Sequence, residues 1–154
     1  MGADKQVHKK ATFNNLATFS LWDTYRSANP LYTIMQPERV PDMINTMLAI
    51  YKEQGKLPVW HLMANETNTM VGNSAMVVVV DAYLKGFKGF DANLAYEAVK
   101  TTQMQDVCGL KFVKELGFIP ADSTRENVAM GMEYSINDWC IAQMAKKLGK
   151  TDDY

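Results

Sequence analysis

The stretch Leu57-Pro58-Val59-Trp60-His61-Leu62-Met63-Ala64-Asn65-Glu66-Thr67 holds the residue types most able to do chemistry in this chain. The Glu66 carboxyl can give or take a proton, and Pro58 with Trp60 forms a stiff aromatic approach to it. Asn65 suits a helix N-cap, and the apolar segment after it predicts a helix from Glu66 to about Lys85. Glu66 is then expected in the first turn, where many acids only offset the positive end of the helix dipole. A second group lies upstream. Asp23 and Arg26, three apart beside Trp22, are expected to share one helix face. In the bland reading they form a surface ion pair worth little. In the chemical reading they grip the hydroxyls of a sugar whose apolar face lies on Trp22. Glu133, beside Tyr134, reads as a helix-face acid or a satisfied buried hydrogen-bonder rather than a catalytic group. His61 has no second His or Cys at ligand spacing, so it reads as structural or exposed rather than metal-bound.

The elements that must position these groups read as helices. Residues 1–12 form a polar, loose lead. An aromatic-rich stretch follows, with Phe13, Phe19, Trp22, Tyr25 and Tyr32. Within it Ser20 is expected to cap a short helix that Asn29-Pro30 ends. Val40, Met43, Ile44, Met47, Leu48 and Tyr51 follow helical spacing, with Pro41 in the first turn and Gly55 as the stop. Met76 to Val80 is apolar on every side, which marks an inner helix enclosed by others. Asp91 caps a further helix, and Gly109 separates it from a segment with Leu110, Phe112, Val113 and Leu116. Ser123-Thr124-Arg125-Glu126 matches a capping box before a last helix expected to bury one continuous face from Val128 to Leu148, with Met132, Ile136, Trp139, Cys140 and Met144. The expectation is all-α, four to six helices, with no clear strand.

The 154 residues make one domain's worth of chain, and 47% hydrophobic residues suffice for a core. A net charge of −1 leaves no electrostatic footprint for nucleic acid. No apolar run is long enough to span a membrane, and no signal peptide opens the chain. Cys108 and Cys140 fall on expected apolar helical faces and read as buried free thiols rather than one disulfide. Eleven scattered methionines read as adaptable core filler. A carboxylate-bridged metal bundle fails, because neither histidine stands at Glu-x-x-His spacing.

At Ser20-Leu21-Trp22-Asp23-Thr24-Tyr25-Arg26, and at Leu57-Pro58-Val59-Trp60 followed by Asn65-Glu66-Thr67, the chain resembles the calcium-dependent α-mannosidases of glycoside hydrolase family 92. Asn29-Pro30-Leu31, Met70-Val71-Gly72, Gly117-Phe118-Ile119-Pro120 and Glu133-Tyr134 extend the likeness over about residues 13–154. The resemblance implies a partial (α/α)6 barrel or toroid, a fragment of a longer helical catalytic domain that packs on an N-terminal β-sandwich. It implies that Glu66 is the catalytic acid, that Trp22, Asp23 and Arg26 line the sugar subsite, and that Trp60 belongs to the same site. It also implies inverting cleavage of terminal α-linked mannose from N-glycans or mannans, with Ca2+ as cofactor of the parent. No full calcium shell can be placed on these residues.

Inversion needs a carboxylic acid at the leaving oxygen and a carboxylate base across the ring, about 6.5–9.5 Å apart. The family's base lies in a later Gly-Asn-(acidic)-Asp segment that has no match here, so the chain alone is expected to be inactive. A helix N-terminus also lowers a carboxyl's pKa, so desolvation near Trp60 would have to raise it again. Implied partners are a mannosylated glycan, the sandwich domain and the rest of the barrel, with no nucleic acid and no membrane. Self-association of the fragment is expected through surface that the barrel would cover. The implied parent is a periplasmic or secreted bacterial protein. The rival reading is a non-catalytic helical interaction module, in which Trp22 and Trp60 are core residues.

Overall fold

A computed structural model describes residues 1–9, 12–17 and 20–154. Phe19 of the aromatic stretch and Lys10 and Ala11 of the lead lie outside the described residues. Leu21–Thr24 form α1, one short turn. Ser20 occupies its N-cap position, but the hydroxyl makes no capping bond and has no partner among the described residues. Ala28–Met35 form α2. Asn29-Pro30 was expected to end a helix, and instead sits in the first turn of this one. Proline's missing N–H costs nothing there.

A 3-10 turn at Pro37–Arg39 leads into α3, Val40–Gln54, which Gly55 ends at φ 81°. The chain then makes a small antiparallel hairpin, β1 (His61–Leu62) and β2 (Asn65–Glu66), pairing His61 with Glu66 and Leu62 with Asn65. The helix expected from Glu66 therefore does not begin there, and Asn65 is a strand residue rather than a cap. Met63, Ala64, Asn68, Met70 and Gly72 all have positive φ, which no α-helix can contain.

The inner helix starts later, as α4 over Ala75–Leu84. α5 spans Ala92–Gln103, and the Asp91 carboxylate accepts from Asn93 N and Leu94 N as its cap. α6 spans Leu110–Leu116 and α7 Asn127–Leu148. The capping box before α7 is not formed. Glu126 is left-handed at φ 57°, and the Ser123 hydroxyl donates to the Pro120 carbonyl instead.

α4 lies against α2, α3, α5 and α7, as an all-round apolar helix must. Met76, Val79 and Val80 meet Ile44, Val99, Met144 and Ala145 in the main core. Each such side chain contributes about 1.5–3 kcal/mol on burial. A smaller core holds Leu110, Ile119 and Tyr134.

α7 departs most from expectation. Val128 (71%), Met132 (68%) and Trp139 (60%) stand exposed, while Glu133, Tyr134, Asn137, Cys140, Met144 and Ala145 face inward. The buried face is thus set by what α4 and α5 offer it, not by its most apolar stripe. Cys108 is exposed in the turn before α6, not on an apolar helical face, and Cys140 is a buried thiol whose pKa burial pushes up to about 11. Among the described residues, no helix is long and apolar enough to cross a membrane.

Candidate functional site

The hairpin exists because Glu66 holds it. Its Oε2 accepts from Val59 N at 2.8 Å, and its Oε1 accepts from Trp60 N at 3.0 Å and Asn68 N at 2.9 Å. The Trp60 carbonyl accepts in turn from Thr67 N at 3.1 Å and Thr67 Oγ1 at 2.8 Å. The carboxylate is only 9% exposed. Burial pushes its pKa up, but the N–H donors of Val59, Asn68 and Trp60, with Lys56 nearby, outweigh it and hold the pKa below the ordinary 4.5. The carboxylate thus organises the turn from Val59 to Asn68.

His61 is buried against it, with Nε2 3.0 Å from Gln54 Oε1 and 3.9 Å from Glu66 Oε2. Burial lowers its pKa from 6.5, and the Glu66 charge offsets part of that. Both groups thus have depressed pKa values in the folded chain, so the unfolded chain takes up protons first. Their stabilisation is complete above about pH 6.5. It falls as pH drops below 6.5 through His61, and again below 4.5 through Glu66. The melting temperature is therefore expected to hold level from pH 8 to 7 and decline from pH 6.5 downward. His61→Asn should remove the upper part of that decline. An unaltered profile in His61→Asn would assign it to other groups.

Trp22, Tyr25 and Arg26 converge on one acceptor, Glu133 of α7. Trp22 Nε1 donates to its Oε1 at 3.0 Å, Tyr25 OH to its Oε2 at 2.8 Å, and Arg26 Nη2 to its Oε1 at 2.7 Å. The guanidinium lies 4.7 Å from the Trp22 ring centre and 4.6 Å from that of Tyr25. Burial, reinforced by the Glu133 carboxylate, pushes the Tyr25 hydroxyl up to about 12. The expected Asp23–Arg26 pair does not form, because Arg26 turns to Glu133. Asp23 is exposed and has no ion pair among the described residues. Glu133 is thus a satisfied buried hydrogen-bonder, as its position in the sequence suggested. Its three partners were not foreseen. The available signal was the crowd of donors on Trp22, Tyr25 and Arg26, which required an acceptor from elsewhere in the chain.

One backbone bond joins the two groups. Leu21 N, at the start of α1, donates to the Val59 carbonyl at 3.4 Å, and Val59 N is held by Glu66. Trp22 and Arg26 therefore share one cluster, Trp60 and Glu66 share another, and α1 rests on the second. A cavity of about 410 Å³ beside α1 is lined by Leu21, Thr24, Asn29, Tyr32 and Met47, and not by Trp22, Asp23 or Arg26. Asp23 and Arg26 are exposed and Trp22 is half-buried.

Calcium takes six to eight oxygen ligands. Here the Glu66 and Glu133 oxygens already accept from N–H or O–H donors, which leaves Asp23 alone near Trp22. Asp4, His8 and Glu53 form the metal-capable trio among the described residues, but an imidazole suits calcium poorly. Among the described residues, the carboxylates beside Trp22 and Trp60 do not by themselves make a calcium shell.

The model of the glycosyl hydrolase family 92 catalytic domain matches residues 1–154. A solved family GH92 alpha-mannosidase from Bacteroides thetaiotaomicron is 45% identical over 99% of this chain, with a TM-score of 0.95. The same enzyme has been solved in complex with mannoimidazole. A family GH92 inverting mannosidase from the same organism is 32% identical over 87% of the chain, with a TM-score of 0.83. An uncharacterized secreted glycosidase of Arthroderma benhamiae is 34% identical over 82% of the chain. The chain spans 18–21% of the length of these relatives.

Proposed function

Since this chain belongs to glycosyl hydrolase family 92, through a match over all of its residues, we propose that it forms part of the sugar-binding wall of an inverting α-mannosidase. The reading is carried by Trp22, whose indole N–H is fixed on Glu133, with the exposed Asp23 following it in the chain and without an ion pair among the described residues. An aromatic ring followed by an exposed carboxylate suits a mannose ring and its hydroxyls. The substrate is a glycan ending in α-linked mannose, an N-glycan or a mannan. Arg26 borders the same wall, and Trp60, on the turn that Glu66 holds, is the contribution of the second cluster.

The rest of the barrel and a β-sandwich domain complete the pocket and bring the base that activates water. They also hold any calcium ion, whose role would be to bind vicinal hydroxyls. Glu66 serves here as the clamp that seats α1. The proton-donor role implied by the family likeness is the rival outcome of the Glu66→Gln test described below. The parent is a secreted protein, in keeping with the secreted relative.

The test compares Asp23→Ala with wild type in the full-length enzyme. Calorimetry with mannoimidazole should show weaker binding, and kcat/KM on an aryl α-mannoside should fall, with the melting temperature unchanged. Unaltered affinity with a lower melting temperature would make Asp23 structural. The 154-residue chain alone should show no turnover with the same substrate and excess calcium.

The exposed α7 stripe is what favours an interaction module, and the family reading accounts for it as surface that other parts of the domain cover. Val128, Met132 and Trp139 lie on one side of the helix, and bare apolar patches of this kind drive association. The chain alone is expected to run above monomer mass in light scattering. Met132→Glu with Trp139→Glu should return it to monomer. The same mass in that variant would place the contact elsewhere.

A further inference from the structure

We propose that Glu133 is the positioning residue of the sugar face: it fixes the plane of Trp22 and neutralises Arg26, so that Asp23 is the charged group left to meet the sugar. The proposal rests on the subsite reading above and deepens it.

Three observations carry it. The Glu133 carboxylate is almost buried, and both of its oxygens are engaged by donors from α1 and the two residues that follow it. The indole N–H is the single polar handle on Trp22, so its bond to Oε1 sets the tilt of the ring. Arg26 is held between the Trp22 and Tyr25 rings with its charge answered at 2.7 Å.

α1 is only Leu21–Thr24 and has no side-chain cap, so it cannot orient these groups by itself. α7 supplies the rigid frame, since its Asn137 and Met144 are fully buried against the core. The stem of Glu133 is itself fixed from behind by Gly72. A Cβ built on that glycine would lie 2.6 Å from Glu133 Cβ. The acceptor of α1 is therefore preset by the core before any sugar arrives. Arg26, stacked and paired, acts as a strut in this arrangement rather than as a contact to hydroxyls.

The experiment uses the full-length enzyme, with mannoimidazole as calorimetric probe and Glu133→Gln, Trp22→Ala and the double variant as reporters. Glu133→Gln keeps the shape but removes the charge that Arg26 answers. Affinity should fall on the order of tenfold, as for loss of a charge-assisted hydrogen bond, with the effect in KM rather than kcat. In the Trp22→Ala background the same change should cost almost nothing further, because the platform it positions is gone. General destabilisation would not produce that coupling.

Wild-type affinity in Glu133→Gln, or a fully additive loss in the double variant, overturns the proposal. If Trp22→Ala binds as wild type does, the subsite reading falls and this inference with it. Weak binding by Trp22→Ala beside unchanged Glu133→Gln rejects the positioning role alone. Should Glu133→Gln fail to fold, Tyr25→Phe carries the test: it frees one Glu133 oxygen, and wild-type affinity in that variant overturns the proposal.

Discussion

Glu66→Gln should lower the melting temperature of the chain by roughly 4–12 °C. Glutamine keeps the size of the side chain but offers one acceptor oxygen where the carboxylate serves Val59 N, Trp60 N and Asn68 N. Its amide nitrogen would face a backbone donor. Loss of one charge-assisted bond in a site this buried costs about 2–3 kcal/mol. A chain of this size shifts by about 2–4 °C for each kcal/mol. The turn from Val59 to Asn68 loosens first, and α1 follows, because Leu21 N is bonded to the Val59 carbonyl.

The same substitution in the full-length enzyme separates the two roles open to Glu66. A clamp predicts equal losses on an activated aryl α-mannoside and on a substrate with a poor leaving group. A proton donor predicts a selective loss of about 10²–10⁴-fold on the poor leaving group. An unchanged melting temperature together with that selectivity would reject the clamp and restore the proton-donor role.

Gly72→Ala should be more damaging than its size suggests. Gly72 sits at φ +82°, where an alanine is strained by about 1–2 kcal/mol. The added methyl would also stand 2.6 Å from Glu133 Cβ, so a strand of loop or a turn of α7 must shift. Such overpacking costs a further 1–3 kcal/mol or so. The total, about 2–5 kcal/mol, is a large part of a typical domain's stability.

Gly55→Ala is the matched control. Gly55 has φ +81° and nothing within 4 Å of a built Cβ, so it carries the backbone strain without the collision. Denaturant midpoints should fall much further for Gly72→Ala than for Gly55→Ala. Equal losses would mean that Gly72 does not pack against Glu133.

Local signals in the sequence were enough for much of this chain. Pro41 in the first turn and Gly55 at the end bracket α3, and the apolar spacing between them gives its buried face. Asp91 caps α5 as its side chain and position require. Met76 to Val80 had to be enclosed, and α4 is enclosed. The motifs around Trp22 and Glu66 were also sufficient to indicate the family. Each of these rests on contacts within a few residues, or on apolar residues that leave no alternative to burial.

The tertiary structure decided the rest. An acid after Asn65 reads as a helix start, yet three backbone donors drawn from both sides of a turn made Glu66 the centre of a hairpin. α7 carries two candidate faces, and its neighbours took the one with Glu133 and Asn137 and left Val128, Met132 and Trp139 bare. Arg26 had Asp23 one turn away and chose Glu133, 107 residues on. Trp22 reached the same carboxylate across 111 residues. Pairings at that range depend on where the core places whole helices, and no periodicity or cap in the chain encodes them. Burial makes the choice, because a carboxylate taken out of water must find its donors wherever the fold has put them.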